Sequence, residues 1–514
     1  MRRIGIDVGG TNTDAVLIEG DAVRGGVKTT TTPDVTSGML DALAALLEEV
    51  GGEFGPLDAV MVGTTHFTNA VVERRSLSKV AAVRIGLPAS ASLPPFVDWP
   101  ADLAALVRGH VSMIEGGHEV DGRPIVPFDA DGMRREAERI AELQIDSVAV
   151  TSIFSPLTGE DEERAAKILR EVCGDIDVTL SKDLGRIGLL GRENAALLNA
   201  AIVTLARHTT EAFTNALADS GIDAPLYLTQ NDGTVMLAEQ AIRFPVYSFA
   251  SGPTNSMRGA AFLSGIADAL VVDVGGTTSD IGCLRAGFPR EANNVVSVGG
   301  VRTLFRMPDL LSLGLGGGSI VSAEGDVGPT SVGFRLTDEA LVFGGETTTA
   351  TDIAVAAGLA SIGDEARVRS LPRAFVDRTC GRIEALIAEG VDRMKNDPSA
   401  APLIAVGGGA FLVPEHLAGI SEVIHVAHQG VANAVGAAIA QVSGEVDQVF
   451  SGMGRQDAIE EATQIARARA TAAGADAETI SIVDVEDLPL AYLPGDSRRV
   501  RVRAVGDAKD AVTR

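Results

Sequence analysis

Two stretches of this chain carry residue types that can grip a polyphosphate. One is Ile4-Gly-Ile-Asp-Val-Gly-Gly-Thr-Asn-Thr-Asp14, and the other is Val271-Val-Asp-Val-Gly-Gly-Thr-Thr-Ser-Asp280. In each, an apolar strand delivers an aspartate (Asp7, Asp273), and a glycine pair (Gly9 and Gly10, Gly275 and Gly276) then turns the chain. Hydroxyl and amide residues come next (Thr11, Asn12 and Thr13; Thr277 and Thr278), and then a second aspartate, Asp14 or Asp280. Such a turn offers backbone N–H groups and hydroxyls to phosphate oxygens. The leading carboxylate is placed to hold a hydrated Mg²⁺, which prefers oxygen ligands and keeps several waters. One such loop alone reads as an ordinary strand–helix turn. Two in matching register point to a site at the seam between related half-domains.

The residues after each loop support the duplication. Ala15-Val-Leu-Ile-Glu-Gly-Asp-Ala-Val23 and Ile281-Gly-Cys-Leu-Arg-Ala-Gly-Phe-Pro-Arg290 both read as strand, turn, strand, the pattern of a β-hairpin. A third glycine loop, Gly407, Gly408 and Gly409 in Ile404-Ala-Val-Gly-Gly-Gly-Ala410, again ends a strand. It precedes a small-residue helix, Ala432-Asn-Ala-Val-Gly-Ala-Ala-Ile-Ala440.

This order resembles the actin-like ATPase superfamily, with Asp7–Asp14 as phosphate loop one, Asp273–Asp280 as phosphate loop two and Gly407–Gly409 as the adenosine loop. Further runs narrow the resemblance to the short type of the hydantoinase A / 5-oxoprolinase family. They are Lys28-Thr-Thr-Thr-Thr-Pro-Asp34, Val62-Gly-Thr-Thr-His-Phe-Thr-Asn-Ala-Val-Val-Glu-Arg-Arg75, Ser251-Gly-Pro253, Gly314-Leu-Gly-Gly-Gly-Ser319, His118-Glu-Val-Asp-Gly-Arg123 and Leu488-Pro-Leu-Ala-Tyr-Leu-Pro-Gly495. The chain departs from the long members at Leu311 (usually His), at Ser155-Pro156 and Gly159-Glu160 (usually Asn-Pro and His-Glu), and at Thr254-Asn-Ser-Met257 (usually small residues). These departures bear on the substrate and leave the nucleotide loops intact.

For the elements that must position these loops the resemblance implies an α/β fold: duplicated actin-like ATPase (ribonuclease H-like) half-domains with an inserted α/β region and a small C-terminal α+β extension. The expected boundaries are 1–75 for the first half, 76–185 for the insertion, 186–445 for the second half and 446–514 for the extension. Helices are expected over Val35–Glu49, through Glu193–Asn199 and over Gln456–Ala473, with irregular Pro-rich chain from Leu87 to Pro100. At 514 residues the chain exceeds one core. Its composition, 46% hydrophobic but only 4% aromatic, suits parallel strands covered by Ala-rich helices.

A net charge of −26 argues against a nucleic-acid partner and against anionic membrane surfaces. The N-terminus runs straight into a strand, and no apolar run reaches the ~18 residues of a membrane span, so the expected location is the cytoplasm. Cys173, Cys283 and Cys380 are far apart and odd in number, which speaks against a disulfide framework or a Cys-type zinc site. His425 and His428 read as surface or core residues, and His118-Glu-Val-Asp-Gly122 as a turn rather than a ligand set. His66 stands between two readings, part of a helix start or of a substrate-facing loop.

The resemblance implies an ATP-dependent hydrolase, or its ATP-using subunit, that phosphorylates a cyclic amide such as a hydantoin, lactam or 5-oxoproline for ring opening. ATP and Mg²⁺ are the implied cofactors, with Asp7 and Asp273 as catalytic and metal-holding residues. A second hydrolase subunit and an oligomer are the protein partners the resemblance implies, with the chain either the whole hydrolase or only its phosphorylating half. A simple kinase and a nucleotide-gated activator of a partner protein remain open as alternatives.

Overall fold

The computed structural model describes residues 1–32, 35–185, 187–292, 296–304, 307–491 and 496–509. Pro33 and Asp34 of the Lys28–Asp34 run, and residues 492–495 of the Leu488–Gly495 run, lie outside the described residues.

The first strands are β1 (Arg2–Val8), β2 (Asn12–Glu19), β3 (Ala22–Thr30) and β4 (Ala59–Thr64). β2 runs antiparallel to β1 and β3, and β4 runs parallel to β1 on its other side. Ile4, Ile6 and Val8 are all buried, because a central strand covered on both faces must be apolar along its length. The helix Val35–Glu49 buries Met39, Leu43 and Leu46 against this sheet, at the helical spacing expected of one apolar face.

The insertion forms its own parallel sheet, β5 (Val80–Leu87), β6 (Arg108–Glu115), β7 (Ser147–Ser152) and β8 (Asp177–Leu180), in the order β6-β5-β7-β8. Arg84 on β5 is fully buried and pairs with Glu193, its Nε donating to Oε1 at 2.8 Å. Glu193 lies in the long helix Leu189–Asp219, which therefore bolts the insertion to the first half.

β9 (Leu226–Thr229) and β10 (Thr234–Leu237) return to the first sheet, β9 lying parallel beside β4. The strands Gln441–Phe450, Arg498–Gly506 and Ser481–Pro489 then extend this sheet to nine strands, and Arg455–Ala472 packs an alanine stripe on it. Sheet membership thus cuts across the linear boundaries drawn from sequence. β9 and β10, inside 186–445, and the strands of the extension all complete the first sheet, because buried strand edges pair wherever the chain returns to them.

The second sheet repeats the first. β11 (Ala269–Val274) pairs antiparallel with β12 (Ser279–Arg285) and parallel with Ala401–Val406, and Ile420–His425 lies beyond. β12 turns at Ala286–Gly287 into the short strand Phe288–Pro289, so both expected hairpins form. The architecture is the duplicated actin-like fold, with the two sheets joined by the helices Ser251–Ser264 and Ala432–Ala438. These helices cross with no room for side chains. A Cβ at Gly259 would sit 1.8 Å from the Ala432 carbonyl oxygen, and one at Gly436 would sit 1.8 Å from that of Asn255. Among the described residues, no helix is long and apolar enough to cross a membrane.

Candidate functional site

The two hairpins present the same local geometry. Asp7 faces Asp14 across β1 and β2, and Asp273 faces Asp280 across β11 and β12. Each loop is closed by an equivalent backbone bond, Gly9 N–H to Asn12 O at 3.0 Å and Gly275 N–H to Thr278 O at 2.9 Å. The loops confront one another: a Cβ at Gly276 would lie 3.6 Å from Thr11 Cγ2.

Between them opens a cavity of about 500 Å³, lined by both loops, by Asp14, Lys28 and Asp273, and by Gly407 and Gly408. Of the residues singled out from sequence, Gly9, Gly10, Thr11, Asn12, Asp273, Gly275, Gly276, Thr277, Thr278, Gly407 and Gly408 line it. The remaining three do not. Asp7 is 3% exposed and lies beneath the loop. Thr13 is fully buried, with its hydroxyl 3.2 Å from that of Thr31, so it shapes the loop and does not contact the cavity. Gly409 donates its N–H to Val274 O at 2.7 Å and anchors the third glycine loop to β11.

Glycine is required where loop and carboxylate meet. Gly407 has φ +91°, and a Cβ there would fall 2.2 Å from Asp273 Oδ1. The Gly314–Ser319 run supports loop two from behind, with Gly317 and Gly318 N–H groups donating to the Gly275 and Gly276 carbonyls at 3.0 and 2.7 Å.

Around the carboxylates stand residues whose role no local pattern announced. Asn255 Nδ2 donates to Asp7 Oδ1 at 3.2 Å, and Asn433 Nδ2 donates to Oδ2 at 2.9 Å. Lys28 Nζ lies 2.5 Å from Asp14 Oδ1. The Ser256 hydroxyl favours the charged form of Asp273, and Ser312 bonds Asp280. Asn255 and Ser256 are two of the positions at which the chain departs from the long members of the resembled family, and that departure was the available signal. Asn433 was hidden in a helix read for its small residues. The helix carrying Asn255 and Ser256 begins after Ala250, which adopts left-handed φ 56°, a costly conformation for a residue with a Cβ.

All four carboxylates are pushed above their ordinary range, chiefly by burial. Asp7 rises to about 6, with the neighbouring charge of Asp14 adding to burial and the two asparagine donors opposing it. Asp280 rises to about 6 by burial, against the Ser312 bond. Among the described residues, Lys28 is the cation lining the cavity beside this crowd of negative charge, so a triphosphate entering it would need further positive charge. No three His, Cys, Asp or Glu side chains among the described residues converge into a metal cage. Asp14 and Asp273, the carboxylates that line the cavity, fit what a hydrated Mg²⁺ takes, one or two carboxylates beside the phosphates.

His66 is half-buried, and burial lowers its pKa. Its neighbours Thr65 and Asn69 line the cavity instead. His118 is buried beside Asp161, with Nδ1 3.8 Å from Oδ2, while Glu119 to Arg123 form a turn.

The profile of the hydantoinase/oxoprolinase N-terminal region matches residues 3–173, and that of hydantoinase/oxoprolinase matches residues 192–366, together most of the chain. The chain belongs to the hydantoinase/oxoprolinase family. Within this family it is similar to the caprolactamase subunit alpha of Pseudomonas jessenii, at 25% identity over 70% of this chain and 55% of the relative. It is similar too to the acetophenone carboxylase gamma subunit of Aromatoleum aromaticum, at 25% identity over 70% of this chain and 53% of the relative. The chain thus spans about half the length of these curated relatives. Among solved structures it shares its fold with the ATP-dependent caprolactamase of Pseudomonas jessenii, with TM-score 0.80, 20% identity, and coverage of 99% of this chain and 88% of that one. Nucleotide-free acetone carboxylase has the same fold, with TM-score 0.68, 18% identity, and coverage of 98% of this chain and 88% of that one.

Proposed function

We propose that this member of the hydantoinase/oxoprolinase family uses ATP to phosphorylate a cyclic amide (a hydantoin, a lactam or 5-oxoproline), as an ATP-dependent hydrolase or its ATP-using subunit. The observation that carries this reading is the pair of matched loops facing each other across one cavity, each backed by a pair of aspartates facing across its hairpin. The family and the likeness to a caprolactamase subunit favour a cyclic amide as acceptor.

An unstrained ring amide is a poor electrophile, and phosphorylation of its oxygen overcomes this. The amide oxygen attacks the γ-phosphorus, and the bond to the bridging oxygen breaks with its electron pair leaving on ADP. The ring nitrogen gives up its proton. Water then adds to the ring carbon, the nitrogen departs protonated, and the acyl phosphate left behind hydrolyses to carboxylate and phosphate.

Here the protein's work is positioning and charge stabilisation. The N–H groups and hydroxyls of Thr11, Asn12, Thr277 and Thr278 hold phosphate oxygens, and Lys28 offsets their charge. Gly407 and Gly408 let the adenosine lie against the backbone. Mg²⁺ would be held by Asp273 and Asp7 through its waters and would neutralise charge on the phosphates. Asn255 and Asn433 fix the Asp7 carboxylate for that role.

Ring opening on a second subunit, assembly into an oligomer and a cytoplasmic location belong to the same proposal, as does the division into two ATPase halves, an insertion and an extension. The likeness to an acetophenone carboxylase subunit favours a ketone as the second acceptor class.

The test measures phosphate release from Mg²⁺-ATP with hydantoin, lactams, 5-oxoproline and acetophenone, with and without a candidate second subunit. Ring-opened amino acid together with free phosphate supports the proposal. A stable phosphorylated product marks a simple kinase. Hydrolysis that responds only to a protein marks a nucleotide-gated activator.

A further inference from the structure

The duplication extends past the phosphate loops to the strand beside each. On β4, Gly63 faces Asp7 in parallel register, and on Ala401–Val406, Val406 faces Asp273. Continuing one residue at a time, Thr64 answers to Gly407 and Thr65 to Gly408. Thr65 and Gly408 both line the cavity, one from each half. A nucleotide has a single adenosine. With that adenosine against Gly407 and Gly408 and the phosphates between the loops, the matching place in the first half is left for the second reactant.

The chemistry of that end is specific. Asn69 lines the cavity together with Thr65, and Asn69 Nδ2 lies 3.4 Å from Thr65 Oγ1, which holds the side-chain amide beside the hydroxyl. The Asn69 backbone N–H bonds Thr65 O at 2.9 Å, and the Thr65 N–H bonds Val8 O at 3.3 Å, so both residues are tied to the end of β1. A primary carboxamide has an acceptor oxygen and two N–H donors on one flat group. A small-ring amide is locked cis, with its carbonyl and N–H on one edge, so its edge and the Asn69 amide are complementary. One lone pair of the ring oxygen stays free for phosphorus.

We infer that Thr65 and Asn69 form the acceptor subsite, taking a cyclic amide by the C=O and N–H edge of its ring. This rests on the phosphorylation reading above. Asn69 acts here as a binding and specificity residue.

The experiment compares Asn69→Ala, Asn69→Trp and Thr65→Val with the parent chain. It measures affinity for a fluorescent ATP analogue with Mg²⁺, and phosphate release stimulated by a lactam or by its N-methyl derivative. In Asn69→Ala and Thr65→Val, the lactam KM should rise about tenfold or more while nucleotide affinity stays within about twofold. The parent's preference for the N–H lactam over the N-methyl lactam should shrink in Asn69→Ala. A lactam KM that does not move, or a nucleotide affinity lowered about tenfold, would overturn the subsite. If no cyclic amide stimulates the parent, the functional reading fails, and Asn69→Trp still decides the placement. Unchanged nucleotide affinity in that variant keeps the Thr65 end apart from the nucleotide, and lost affinity assigns it to the nucleotide.

Discussion

Asn433 reaches Asp7 from 426 residues away in sequence, its Nδ2 donating to Oδ2 at 2.9 Å. Asn255 holds the other carboxylate oxygen from the helix Ser251–Ser264. The first strand's aspartate is therefore fixed from outside its own hairpin, by the two helices that join the sheets. The charge of Asp273, on the second sheet, is felt at Asp7 as well. The seam between the halves thus sets the orientation and the charge of Asp7.

Asp7→Asn and Asp273→Asn should each lower Mg²⁺-dependent ATP hydrolysis by about a hundredfold or more, because Asp273 lines the cavity and Asp7 lies just beneath its loop, and each change removes a negative charge with little change of shape. Circular dichroism and melting should show a retained fold. Near-native turnover in either variant would remove that residue from the metal or catalytic role.

Gly408→Val should weaken nucleotide binding and spare the fold. A Cβ at Gly408 meets no heavy atom within 4 Å, yet the residue lines the cavity, so the new side chain would occupy ligand space. Gly407→Ala should harm both, since its Cβ would strike Asp273 Oδ1 and its φ is +91°. Calorimetry with an ATP analogue, paired with melting, separates the two outcomes. Unchanged affinity in Gly408→Val would end the adenosine-loop assignment.

Burial, assisted by Asp14, lifts Asp7 to about 6 from an ordinary 3.8. Because the folded value is the higher one, the folded apo chain keeps a proton that the unfolded chain has lost. The stability tied to that proton is full below about pH 4 and is lost as pH rises through about 6. Asp280, also at about 6, acts in the same direction. The melting temperature of apo Asp7→Asn should therefore gain on the parent between pH 4 and 7. A melting-temperature difference between the apo variant and the apo parent that stays flat from pH 4 to 7 would show that Asp7 does not titrate as described.

Nucleotide should draw the two halves together, since the loops grip one triphosphate from opposite sheets, and clefts between domains close by hinge or shear motion. Small-angle scattering with Mg²⁺ and a non-hydrolysable analogue should show a smaller radius of gyration, and hydrogen exchange should slow in both loops. No change in either at saturating ligand would leave the closing model without support.

Much of this was legible from residue order. Asp-Val-Gly-Gly-Thr written twice announces two strand-to-loop turns, because glycine, hydroxyl and carboxylate act within a few residues of one another. The hairpins and the helix Val35–Glu49 came from local periodicity in the same way. Asn255 and Ser256 stood out only as a departure from the resembled family and Asn433 not at all, because a side-chain amide or hydroxyl in a helix is ordinary until the fold shows what it faces. Thr13 was expected at the phosphates and is instead buried against Thr31, since side chains alternate faces along a strand and one step decides which way they point. Nor could local pattern reveal that β9, β10 and the C-terminal strands complete the first sheet, as edge pairing is a long-range choice.

The reach of Asn433 to Asp7 also has a bearing on synthesis. At about 5–20 residues per second, a ribosome needs roughly 20–85 s to make the 426 residues between them. Through that interval the emerging first strand has its aspartate but only part of the clasp that orients it, and neither the second phosphate loop nor the third glycine loop until late. A chain that has not yet reached Asn433 therefore lacks part of the clasp that orients Asp7, and the seam between the sheets is complete only once the helix Ala432–Ala438 has emerged.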